Sequence, residues 1–135
     1  MRLAHARIVT NNVPALVEFY KKLTGITPVG DDQYAEFHGS QLTLAISSQR
    51  IIEIYGASAT MSQSTSSVIL DFEVADVDAE HARLQEVVGE FVLEPTTQPW
   101  GNRSMLFRDP DGNLINVFAP ATHSATDLET ADQVG

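Results

Sequence analysis

The chain has 135 residues, 43% of them apolar, and a formal net charge of -10. That length suffices for one domain with its own core; the acidity, with eight scattered Lys and Arg, argues against a nucleic-acid partner, and no apolar run is long enough to span a membrane. The absence of Cys excludes disulfides, thiolate metal sites and a Cys nucleophile, and the opening MRLAHARIV lacks the apolar stretch of a signal peptide, so a cytoplasmic location is expected.

The first predicted element is an alternating strand in LAHARIVT. It ends at Asn12, a residue suited to capping a helix. In that helix Val13, Leu16, Val17, Tyr20 and Leu23 recur at helical spacing, and Gly25 stops it. Strand-like pieces follow at roughly 33–38, 41–46 and 50–55. The polar residues 57–66 read as a linker between module one, 1–56, and module two, 67–119.

The second half opens on VILDFEV, again a strand, followed by a cap at Asp76. Its helix carries Val77, Leu84, Val87 and Val88 and stops at Gly89. Three more strand-like pieces lie at roughly 91–93, 103–108 and 114–118. In FRDPDGNLINVF the run from Asp109 to Asn113 reads as a tight turn, because Pro110 fixes φ and Gly112 or Asn113 accepts a positive one. Residues 120–135 have no apolar period and are expected to form a flexible tail.

Laid on itself at a shift of 64 positions, His5 onto Ile69, the chain shows a weak internal duplication. The expected fold class is α+β: two tandem βαβββ modules forming curved mixed sheets around a cleft, with the helices on the outside.

The opening His5 with VEFYKKLTG, FEVADVDA at the start of the second half and RDPDGNLINVF at its close resemble the vicinal oxygen chelate superfamily. That superfamily holds glyoxalases, bleomycin-resistance proteins and extradiol dioxygenases, and the likeness covers residues 1–119. It implies two βαβββ modules, a homodimer, and a ligand cleft. Enzymes of the family carry metal ligands on the first and last strands of each module. In this chain those positions map to His5, Glu53, Ile69 and Asn116; the repeat pairs His5 with Ile69, and Glu53 with Asn116 at a shift of 63.

A catalytic divalent ion requires at least three protein ligands and an open position. His5 and Glu53 have the right chemistry, Ile69 cannot coordinate, and Asn116 offers only a neutral amide oxygen. The expectation is therefore a cleft without its metal or other cofactor, in which His5 and Glu53 bond each other or an organic ligand and Asn116 both donates and accepts. A divalent ion on His5 and Glu53 plus a further ligand, such as His38 or a partner-chain residue, is the alternative.

Alternation places Leu3 and Arg7 with His5, Asp71 and Glu73 with Ile69, Leu114 and Phe118 with Asn116, and Ile51 and Tyr55 with Glu53. Arg7 and Asp71 either form a structural ion pair where the modules abut, or Arg7 receives an anionic group. Trp100, in QPWGNRS, either stacks on a flat ligand with Arg103 beside it or packs into its own module. His38 is half-exposed or in the cleft, and His81 is expected in solvent. The sequence places no Ser, His and acidic trio together, it has no Gly-rich phosphate loop, and RDPDG lacks the spaced oxygens of an EF-hand.

Three functions compete. The first is a homodimeric binder of a small, planar or aromatic organic molecule in an apolar cleft. The second is a metal-dependent lyase or dioxygenase with Glu53 moving a proton. The third is metal-free acid–base chemistry by Glu53, Asp71 or Glu73.

Overall fold

The computed structural model describes residues 2–53 and 68–121. The predicted linker, Tyr55 and the chain from residue 122 lie outside the described residues. Two compact units, Met1–Thr65 and Ser66–Gly135, divide the chain. Each is a βαβββ module whose mixed sheet has four strands.

In the first module β1 (His5–Thr10) leads into α1 (Val13–Thr24), followed by β2 (Val29–Gly30), β3 (Tyr34–His38) and β4 (Thr43–Ser48). The sheet order is β1-β4-β3-β2, and β1 runs parallel to β4 while the other pairs are antiparallel. A parallel pair needs a long crossover, and α1 with the β2–β3 hairpin supplies it. Asn12 caps α1 by accepting from the Ala15 N–H at 3.2 Å. Gly25 ends the helix with φ of 74°, a left-handed conformation that glycine adopts without a side-chain clash, and its N–H donates to the Lys21 carbonyl. The buried face of α1 is Val13, Leu16, Phe19, Tyr20 and Leu23. Tyr20 meets Phe37 of β3 edge to face, with 6.4 Å between ring centroids.

A short helix, α2 (Gln49–Glu53), follows β4 directly. The strand expected over 50–55 is therefore a helix as far as residue 53. Its first turn is tied down by Ser48, whose hydroxyl oxygen accepts from the Ile51 N–H at 3.2 Å. The strand that pairs with β1 is β4, and the short β2 has no counterpart among the predicted strands.

The second module repeats the plan: β5 (Ile69–Glu73), α3 (Val77–Leu84), β6 (Phe91–Thr97), β7 (Arg103–Arg108) and β8 (Leu114–Ala119), in sheet order β5-β8-β7-β6. Asp76 caps α3 by accepting from the Ala79 N–H at 3.1 Å. The helix ends at Leu84, short of Gly89, and the chain leaves it through a turn in which the Val87 and Val88 N–H groups donate to the Leu84 carbonyl. Val88 is buried all the same, with Val77, Leu84, Met105, Phe107, Ile115 and Val117. The edge strand β6 is longer than expected and accommodates Pro95 and two register irregularities, as edge strands do.

The Asp109–Asn113 turn is held by one buried carboxylate. Asp109 accepts from the backbone N–H groups of Asp111 and Asn113, both at 2.9 Å, and from the Asn113 amide at 2.7 Å. The Phe107→Ala substitution, at a fully buried ring, should cost about 3–5 kcal/mol. Losing the cap through Asp76→Ala should cost only about 1 kcal/mol. Urea-unfolding midpoints of the two variants check the order.

Candidate functional site

The side chains that α1 covers on the first sheet are Phe37, Ala35 and Ile46, all buried. Side chains alternate across a strand, so the opposite face carries His5, Arg7 and Val9 of β1, Thr43, Ala45 and Ser47 of β4, and Tyr34, Glu36 and His38 of β3. Register sets them in rows: His5, Thr43 and His38; Arg7, Ala45 and Glu36; Val9, Ser47 and Tyr34.

Glu36 is the hub of this face. Its Oε2 accepts from the Tyr34 hydroxyl at 2.7 Å and lies 3.5 Å from Nε2 of His5. Its Oε1 lies 3.3 Å from Nε2 of His38. His38 Nδ1 in turn is 3.4 Å from the Thr43 hydroxyl. The Arg7 guanidinium stands over the Tyr34 ring, 5.4 Å from its centroid, a cation–π contact. The Tyr34 hydrogen bond holds the Glu36 carboxyl below the usual carboxylate range against the opposing effect of burial, helped by His38, His5 and Arg7. The same hydrogen bond, with burial and the Glu36 charge, pushes the Tyr34 phenol up, while Arg7 opposes the rise.

The β2–β3 turn fixes where Tyr34 starts. Asp31 accepts from the N–H groups of Gln33 and Tyr34 at 2.8 and 3.0 Å. Gly30 has φ of 146°, and a Cβ there would lie 2.1 Å from the Tyr34 carbonyl oxygen, so only glycine permits this close approach.

In the second sheet α3 covers the face with Met105, Phe107, Ile115 and Val117, and the other face carries Ile69, Asp71 and Glu73 of β5 with Leu114, Asn116 and Phe118 of β8. Asp71 and Asn116 are cross-strand neighbours, and the Asn116 amide donates to the Asp71 carboxylate at 2.8 Å. The Asn116 carbonyl oxygen is buried and has no hydrogen-bond partner among the described residues. Ile69 is exposed.

Trp100 is 56% exposed at the tip of the β6–β7 turn, so packing into its own module is set aside. That turn closes with the Gln98 N–H donating to the Asn102 carbonyl at 2.7 Å. Arg103, expected beside Trp100 as a ligand group, is instead engaged by Asp78 of α3 in a bidentate pair at 2.6 and 2.8 Å, and donates to Thr97 as well. The Arg103 hydrogen bonds hold the Asp78 carboxyl below the usual range. His81 is not free in solvent: it is half-buried, with Nε2 against the Glu94 carboxylate and the ring packed on Phe91.

Arg7 is opposite Ala45 in the first module as Asp71 is opposite Asn116 in the second. Of the four positions that the family resemblance implies, Ile69 has a hydrocarbon side chain, the Asn116 amide is engaged by Asp71, and the Glu53 side chain lies outside the described residues. Among the described residues no group of three or more His, Asp or Glu is placed to hold a metal ion. Glu36 and Tyr34 are the cluster residues that sequence reasoning missed; the signal was the alternation in YAEFH, which puts Tyr34, Glu36 and His38 on one face.

A chain of two βαβββ modules with polar residues on the open faces of its first and last strands defines a class. The protein belongs to the Glyoxalase/Bleomycin resistance protein/Dioxygenase superfamily, whose family description matches residues 2–117. It is 30% identical over 126 residues to the uncharacterized protein YraH of Bacillus subtilis (strain 168), covering 87% of this chain and 98% of that one. Its fold is similar to that of a glyoxalase/bleomycin resistance protein/dioxygenase family enzyme from Burkholderia phytofirmans PsJN, with a TM-score of 0.79 at 15% identity, covering 88% of this chain and 98% of the other. A lactoylglutathione lyase from Agrobacterium tumefaciens shares the fold at a TM-score of 0.68 and 18% identity, over 86% and 91% of the two chains.

Two outcomes follow from the site. Glu36→Gln should return the Tyr34 phenol toward its ordinary titration range, read by ultraviolet difference spectroscopy at high pH. Because Asp78 is held low in the folded state, its contribution to stability is present above the ordinary Asp range and is lost as pH falls through its depressed folded value. Arg103→Gln should flatten that part of the stability–pH curve, measured by urea unfolding across the acid range.

Proposed function

We propose that the protein is a metal-free member of its superfamily that binds a small planar or aromatic organic molecule on the open faces of its sheets. The observation that carries this reading is that two of the positions which the family resemblance implies for metal ligands hold Ile69, a hydrocarbon, and Asn116, an amide tied to Asp71. What stands there instead suits hydrogen bonding to an organic group. In the first module His5, Tyr34, Glu36 and Arg7 offer donors, acceptors and a cation over an aromatic ring, and in the second module, taken by itself, Trp100 offers an exposed indole. A cytoplasmic homodimer is part of the proposal, supported by the edge strands on which each sheet ends.

Elemental mass spectrometry of tag-free protein, purified without chelators and dialysed against metal-free buffer, should find far less than one transition-metal ion per chain. About one ion per chain would instead favour a metal-dependent lyase or dioxygenase using His5, Glu53 and a further ligand. A fluorescence screen of aromatic compounds should then find ligands that change Trp100 emission, and Trp100→Phe should abolish the signal. A monomer mass by light scattering at micromolar concentration would refute the dimer.

A further inference from the structure

The connection between β6 and β7 holds the only Trp of the chain in a frame of hydrogen bonds. Pro99 and Trp100 are the two central residues of a turn closed by the Gly101 N–H, which donates to the Gln98 carbonyl at 2.8 Å. The Gln98 N–H donates in turn to the Asn102 carbonyl. Asn102 is only 5% exposed, although it stands two residues from an indole that is 56% exposed. Its side-chain Oδ1 accepts from the backbone N–H of Ala121 at 3.3 Å. The β7–β8 ladder ends at the pair of Arg103 with Ala119, so this hydrogen bond carries the tie past the last paired strand residues. Asn102 therefore joins the turn that presents Trp100 to the chain leaving β8, where Ala121 is itself buried. A ring on a turn without such ties would have to be ordered when a ligand stacked on it, at an entropic cost to binding.

We propose that Asn102 is the positioning residue for Trp100, holding the indole ready as a stacking platform for a flat aromatic ligand. The inference rests on the binding reading and adds the residue on which its aromatic contact depends. Trp100 touches the ligand, while Asn102 is buried behind the turn and acts through it. An amide suits the position, because its oxygen accepts from Ala121 without bringing a charge into a buried place. Alanine there would take away the partner of the Ala121 N–H and release the turn from the chain after β8. Arg103, the cation next to Asn102 in sequence, is held by Asp78 and Thr97 and leaves the platform to the indole.

Because Trp100 is the only Trp, emission from the full chain reports this turn alone. Time-resolved anisotropy of the parent should show the indole turning with the whole protein and little sub-nanosecond motion of its own. The stacking probe is 1-methylnicotinamide, a flat aromatic cation, which should quench the parent statically, with the lifetime unchanged. Asn102→Ala should raise the sub-nanosecond amplitude and weaken the static association constant by about three- to tenfold, while collisional quenching by acrylamide does not fall. Ala121→Pro removes the donor from the other side of the same hydrogen bond and should give the same two changes. Circular dichroism establishes that each variant is folded at the temperature used, where a mere loss of stability would move neither readout. A mobile indole in the parent, which needs no variant to detect, overturns the inference and leaves the binding reading standing. So does a folded variant with parental anisotropy and association. A parent in which neither the probe nor any compound of the Trp100 screen associates removes both.

Discussion

The parallel pairing of β1 with β4 governs the rest of the first module. It sets Arg7, Ala45 and Glu36 in one row. Neighbouring strands are about 4.8 Å apart, so side chains two strands away meet only over a short residue. Ala45 is fully buried and supplies that low point, which lets Glu36 of β3 reach His5 of β1. A longer side chain at this position would separate the carboxylate from the imidazole.

The same pairing in the second module produces different chemistry from an equivalent row. Asp71, Asn116 and Leu106 lie in line. A carboxylate beside an amide dictates its orientation, since only the NH2 end can face Asp71. The carbonyl end is thereby turned away and is left buried without a partner among the described residues. The duplicated modules thus keep one topology while the residues on their open faces have diverged, one toward a titratable cluster and one toward a carboxylate–amide pair.

Charge is sorted by face as well. Arg103 and Asp78 join a strand to a helix in the second module, and their bidentate geometry makes them a tie between elements. Arg7, on the open face of the first module, stands over the Tyr34 ring. The chain's formal charge of -10 therefore says little about the site, where an arginine and two imidazoles surround a single carboxylate.

Much of this architecture was legible in the chain. Asn12 and Asp76 mark the helix starts, Gly25 marks a stop, and the strand alternation and the Asp109–Asn113 turn follow from local chemistry that needs no distant partner. The motifs that resemble the superfamily likewise lie in continuous segments. Register was not legible, because the run from Gln41 to Tyr55 contains two stretches with strand-like apolar residues, and only one can pair with β1. Tertiary pairing chose Thr43–Ser48, and the Ser48 hydroxyl turned the following residues into a helix. That choice brought Glu36 to His5. A strand's hydrogen-bond partner is a long-range property, so the sequence alone determined most of the elements and the family, while the tertiary structure decided which side chains share a row and that residues 49–53 form a helix.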